Sequence, residues 1–135
     1  MLNEAATIAS TLDALRRGAP DAEIVVVDGG STDASVAIAR PLSDTLIDAS
    51  RGRALQMNAG ARASHGDVLA FVHADTIVPS TFAADIASAL SDPAVVGGRF
   101  DVKLDSTALP GQLCHAGRQL LKTLTSLKHL RSRGQ

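Results

Sequence analysis

Asp28 and Asp75 each stand where an unbroken apolar run gives way to a polar tip: Glu23–Ile24–Val25–Val26–Val27–Asp28 in one case, and Asp67–Val68–Leu69–Ala70–Phe71–Val72–His73–Ala74–Asp75–Thr76 in the other. Between them in the chain lies a basic loop, Arg51–Gly52–Arg53. Two carboxylates, an arginine loop and glycines that permit close backbone approach suit a nucleotide diphosphate accompanied by a divalent cation. A carboxylate oxygen ligates a hard cation such as Mg²⁺ or Mn²⁺, and a guanidinium pairs with phosphate oxygens in a forked geometry. On this reading Asp28 accepts hydrogen bonds from a base or ribose, Arg53 meets the phosphates, and Asp75 holds the cation that neutralises them. Asp75 also admits a plainer role as an Asx-type turn residue or a helix cap. The sequence leaves both open.

These residues need a scaffold that brings them to one rim, and the chain reads as one. Ile8, Leu12 and Leu15 recur at helical spacing between Ala5 and Arg17, with Gly18 as a stop and Arg16 and Arg17 suited to the last turn. The run ending in Asp28 predicts a fully buried strand, Gly29–Gly30 a sharp turn, and Ser31, Thr32 and Asp33 a cap for a helix over 33–39 that Pro41 ends. A weaker strand is expected at Thr45–Leu46–Ile47, then a helix over 54–63, then a buried strand in the run that carries Asp75. Ser80 is placed to cap a further helix with a Phe82, Ile86, Leu90 stripe, and Ala94 to Leu104 predicts a longer, partly exposed strand. Strand and helix alternating four times with short connections predict an α/β layered fold with a mostly parallel sheet flanked by helices. In such folds ligands bind beyond the carboxyl ends of the strands. The two aspartates and the arginine loop would all fall there.

Composition narrows the classes. The chain has 135 residues, 45% hydrophobic and 20% charged, which suits one packed domain rather than disorder. A net charge of −1 gives no electrostatic case for nucleic acid, and three Phe with no Trp or Tyr leave little for stacking on bare bases. The single cysteine, Cys114, excludes an intrachain disulfide and fits a reducing compartment. The opening residues turn polar at once and no apolar run approaches the roughly 20 residues of a bilayer span, so a cytoplasmic location is expected. Phosphate-loop, dinucleotide-binding and nucleophile-elbow patterns are missing. His65, His73, His115 and His129 lack metal-ligand spacing. From Gly111 to Gln135 leucines at helical spacing alternate with Arg and Lys and no acid, which predicts a basic amphipathic helix. Such a helix packs on its own core with a solvated basic face, or else lies on a membrane surface or a partner.

Four stretches together resemble a known family: Leu2–Asn3–Glu4–Ala5; Ile24 through Asp28 with Gly29–Gly30–Ser31–Thr32–Asp33; Gly52–Arg53–Ala54–Leu55–Gln56–Met57–Asn58–Ala59–Gly60–Ala61; and Leu69 through Thr76. In this order they are similar to family-2 glycosyltransferases of the GT-A fold, and the Gln-Met-Asn-x-Gly-Ala form resembles a small, soluble bacterial subgroup. The resemblance implies transfer of a sugar from a nucleotide-diphosphate donor to an acceptor hydroxyl, with inversion. It implies that Asp28, with Gly29, contacts the base, that Glu4 lies near the nucleoside and Arg53 near the diphosphate. Asp75 would match the last acid of the family's metal motif, His73 standing where the first acid would be. Residues 1–110 would form the nucleotide-sugar-binding domain, with 111–135 as a helix of the same domain.

Two departures shape the expectations. The family pattern places an apolar strand before Leu-Asn-Glu, whereas this chain starts on the motif; it places the catalytic Asp or Glu beyond the basic helix, where this chain stops. The chain is therefore expected to be truncated at both ends, with Asp101 and Asp105 as substitutes for the base by residue type only. A missing central strand leaves buried backbone groups unpaired at about 1–3 kcal/mol each, which makes a strand exchanged between copies, and hence a homo-oligomer, one expectation. Three functions follow: a glycosyltransferase, a nucleotide-sugar-binding module without turnover, or an interaction domain docking through its basic tail.

Overall fold

The computed structural model describes residues 1–101, so the basic segment 111–135, Asp105 and the end of the run from Ala94 to Leu104 lie outside the described residues. The elements are α1 (Ile8–Gly18), β1 (Val25–Asp28), α2 (Ser35–Ala39) continuing into a 3-10 turn (Arg40–Leu42), β2 (Thr45–Asp48), α3 (Arg53–Ala63) and α4 (Phe82–Leu90). β1 and β2 pair in parallel, Val25 against Thr45 through Asp28 against Asp48, so both strands end in an aspartate at the same edge. The crossover between them is α2 with its 3-10 turn, the short helical connection that a parallel pair demands.

Two faces of this small sheet are covered by different chemistry. Ile8 and Leu12 of α1, Ile24 and Val26, and Ala39 of α2 form one buried cluster, with Leu46 and Ala74 packed against it. The opposite face meets α3, where Gly60 lets the helix approach until a Cβ there would lie 3.1 Å from Val27 Cγ2. α3 contributes no fully buried side chain, so Val25 and Val27 are half-buried while Val26 and Asp28 are buried. The expectation of a strand buried on both faces is corrected accordingly. A second cluster joins Ala14 and Ala19 to Val78 and Phe82, docking α4 on α1. Gly18 belongs to this contact: it ends α1 within helical geometry, and a Cβ there would come 2.7 Å from the Pro79 carbonyl oxygen. It is small for packing, not for a left-handed stop.

Two predicted strands are absent among the described residues. Residues 67–76 form no ladder, and Phe71 is 39% exposed; residues 94–101 form none either. None of residues 67–76 is buried, and an apolar run forms a strand only where it has a partner edge. The free edge of β1 is taken instead by Met1, whose nitrogen donates to the Val27 carbonyl at 2.5 Å and whose carbonyl accepts from the Gly29 amide at 3.0 Å. The run that carries Asp75 is held by a side chain, the Thr11 hydroxyl donating to the Ala74 carbonyl at 2.9 Å. The helix over 33–39 begins at Ser35, and Thr81 rather than Ser80 precedes α4. No described helix is long and apolar enough to cross a membrane.

The entry to β1 is fixed by Asp44, whose carboxylate accepts from the Ile24 amide at 2.7 Å and from Arg16 at 2.8 Å. Arg16 in turn donates to the Ala22 carbonyl at 3.0 Å. Asp44→Ala should cost about 1–2 kcal/mol, nearly all of it from the stranded Ile24 amide, because the half-exposed ion pair adds little. Urea denaturation of the two chains gives the difference directly.

Candidate functional site

The site grows from two loops that lace together. At the end of β1 the Asp28 carboxylate turns back on its own loop, one oxygen accepting from the amides of Gly30 at 2.9 Å and Ser31 at 2.8 Å, the other from the Ser31 hydroxyl at 2.5 Å. Asp28 is 3% exposed. Burial is the largest single influence on its carboxyl and acts to raise its pKa. The Ser31 hydroxyl, the Ser31 and Gly30 amides and the Met1 ammonium together outweigh burial and hold it below the usual carboxylate range.

The Leu2–Asn3–Glu4 loop lies along this turn. Asn3 sits at φ +56°, a left-handed conformation that Asn tolerates better than most side chains. There its amide donates to the Ser31 hydroxyl at 2.9 Å and its side-chain oxygen accepts from the Thr32 amide at 2.8 Å. The Glu4 amide donates to the buried Ser35 hydroxyl at 2.7 Å. The Asp33 carboxylate bridges the two loops, accepting from the Ser35 amide at 2.9 Å and the Ala5 amide at 3.2 Å. Glu4 closes the turn that leads into α1, its carbonyl accepting from the Thr7 and Ile8 amides and its carboxylate from the Thr7 hydroxyl at 3.1 Å.

The other half of the site is the start of α3 and the tip of the run at 67–76. Arg53 is the first residue of α3, exposed, and its guanidinium meets Nε2 of His73. A guanidinium only donates, so the ring nitrogen accepts in this contact. His73 opens a turn closed by the Thr76 amide donating to the His73 carbonyl at 3.1 Å, and Asp75 rides exposed on that turn. Among the described residues its carboxylate accepts no hydrogen bond and joins no ion pair. The capping alternative therefore has no support: α4 begins after Thr81, far along the chain from Asp75.

The structure thus gathers Glu4, Asp28 and Gly29 into one laced cluster, and Arg53 with the His73–Asp75 turn into another. α3 links them, packed on β1. No hydrogen bond or ion pair joins Asp28 to Asp75 among the described residues. No group of three or more His, Cys, Asp or Glu side chains there could hold a metal ion on its own. Asp75 as the single protein carboxylate fits a small hard cation whose remaining ligands are phosphate oxygens and water. A concavity of about 230 Å³ between α1 and the 3-10 turn, lined by Leu12, Arg16 and Pro41, touches none of these residues. Asn3 and Gln56 stand in the sequence only as parts of the resembling stretches, Asp33 there and as a cap, and Ser35 carries no signal. Ser31, Thr32 and Asp33 read as a cap, whereas they also bond to Asn3 and Ala5, nearly 30 residues away in the chain.

Four lowered carboxyls set the pH response. Asp33 is lowered by the Ser35 hydroxyl and amide, Asp44 by the Ile24 amide and Arg16, Glu23 by the amide and ring of His65, and Asp28 as above. A carboxyl lowered in the folded state contributes stability that is complete above its unfolded value of about 4 and is lost as the pH falls through the folded one. Urea midpoints should hold from neutral pH to about 4 and drop below it.

The sequence model of one family, Glycosyl transferase family 2, matches residues 1–132. No curated protein and no solved structure matches the chain.

Proposed function

Because the chain belongs to glycosyl transferase family 2, we propose that it transfers a sugar from a nucleotide-diphosphate donor to an acceptor hydroxyl, with inversion and with help from a divalent cation. The observation that carries the proposal is the contact of the exposed Arg53 guanidinium with His73, which opens the turn that carries the exposed Asp75 carboxylate. One end can take a cation and the other a phosphate, and a metal diphosphate offers both.

In this reading the laced loops of Glu4, Asp28 and Gly29 receive the nucleoside. Asp28 works mainly by holding the loop, since three donors already occupy its oxygens. Arg53 donates to the diphosphate, and Asp75 is the residue that would hold Mg²⁺ or Mn²⁺. The cation supplies charge neutralisation to the departing diphosphate when it is bound. The acceptor oxygen attacks the anomeric carbon from the face opposite the diphosphate, the bond from that carbon to the diphosphate oxygen breaks, and a base takes the hydroxyl proton. Arg53 stabilises the charge that develops on the leaving oxygen. None of the described residues is assigned as that base.

The test is a transfer assay over a panel of nucleotide sugars and hydroxyl acceptors, with the anomeric configuration of the product read by NMR. Product of inverted configuration supports the proposal, and a retained configuration overturns the inversion. Binding of donor without product or donor hydrolysis favours the module that lacks turnover.

A further inference from the structure

We propose that Gln56 is a positioning residue for this reaction, a clasp that fixes the nucleoside-side loop and the arginine-bearing helix start to each other. The inference rests on the transferase reading above but on different atoms. Gln56 is one turn after Arg53 on α3, and residues three apart share a helix face. Its amide nitrogen donates to the Met1 carbonyl at 3.0 Å and lies 3.4 Å from the Val27 carbonyl. Both partners only accept, so the orientation of the amide is fixed and both its N–H groups have a taker. Met1 leads into the Leu2–Asn3–Glu4 loop and Val27 into Asp28, so one side chain holds three separate pieces of the site.

Gly29 shows how close that clasp is. A Cβ on Gly29 would stand 2.8 Å from the Gln56 amide nitrogen and 3.0 Å from its Cδ, while its φ lies outside the left-handed region. Gly29 is therefore a glycine because the Gln56 amide lies flat against its backbone. Its own amide donates to the same Met1 carbonyl at 3.0 Å, so the Met1 oxygen is shared between strand end and helix. A binding site assembled from loops gains affinity when its parts are held in place before the ligand arrives. Gln56 supplies that from behind, without itself needing to touch donor.

Two measurements on the full chain test this, using Gln56→Leu, Gln56→Ala, Gly29→Ala and the double variant. Amide hydrogen exchange needs no ligand: Gln56→Leu should speed exchange of the Gly29 amide about tenfold, while the Thr45 amide in the β1–β2 ladder keeps its native rate. Titration with uridine, guanosine, adenosine, cytidine and thymidine diphosphates in the presence of Mn²⁺ should show about tenfold weaker binding of the preferred one. Gly29→Ala should likewise speed exchange of the residue-29 amide, but adding it to Gln56→Ala should speed it no further, because the obstacle is gone. Native Gly29 exchange or native affinity in Gln56→Leu, or further speeding in the double variant, would overturn the assignment. Failure of the unsubstituted chain to bind any of the five diphosphates would instead overturn the proposed function, with the exchange result still deciding whether the clasp exists.

Discussion

Asp75→Asn is expected to reduce cation-dependent transfer by at least about 100-fold while leaving thermal stability within about 0.5 kcal/mol of the native chain. Both halves follow from one observation. The Asp75 carboxylate is exposed and accepts no hydrogen bond from the described residues, so removing its charge disturbs nothing that holds the fold together. Asparagine has nearly the same shape and keeps one oxygen, but a neutral amide is a poor ligand for a hard dication compared with a carboxylate. The other residues of the turn, His73, Ala74 and Thr76, carry no carboxylate that could replace it. Turnover at saturating Mn²⁺ and a melting curve on the same sample check the prediction. A variant that melts early would make Asp75 a structural turn residue, and a variant with native turnover would remove it from the metal role.

Asp28→Ala is expected to cost about 2–4 kcal/mol of stability and to abolish nucleoside binding. Three donors, the Gly30 and Ser31 amides and the Ser31 hydroxyl, lose a charged acceptor at once. The damage spreads, because the same Ser31 hydroxyl accepts from the Asn3 amide and Asn3 in turn accepts from Thr32. Asp28→Asn should be milder: its oxygen can still accept from the two amides, and its nitrogen can donate to Ser31 Oγ. The acid-linked part of the stability assigned to Asp28 should then vanish, so urea midpoints measured across pH should fall less below about pH 4 than in the native chain. An Asn variant with the full native acid sensitivity would show that Asp28 does not carry that contribution.

Much of this architecture was legible in the residue order, for identifiable reasons. β1 and β2 announce themselves because β-branched residues crowd between turn formers, and α1 because Ile8, Leu12 and Leu15 keep helical spacing. α3 was found with its start displaced by one residue. The run at 67–76 has the apolar content of a strand but is neither buried nor paired, because apolar content carries no record of whether an edge is free to pair. α1 does stop at Gly18, but the glycine there serves close packing on the Pro79 carbonyl rather than a left-handed turn, a distinction glycine alone does not encode. At the site, Asp28, Glu4 and Arg53 were expected near bound nucleotide, and the structure gathers Glu4 with Asp28 but joins Arg53 to them only through α3. The clasp of Gln56 and the lacing by Asn3 and Asp33 depend on contacts between residues roughly 30 or more apart in the chain, which local pattern cannot reveal.

In the proposed reaction the loops around Asp28 and the turn bearing Asp75 serve one ligand, a nucleoside diphosphate with its cation. Calorimetric titration of the full chain with the five nucleoside diphosphates, each with Mn²⁺ and again with the metal chelated, addresses it most directly. Saturable heat is expected for at least one diphosphate, with at least about tenfold weaker binding once the metal is removed and no such metal dependence in Asp75→Asn. No heat with any of them, or binding indifferent to Mn²⁺ in the native chain, would contradict it.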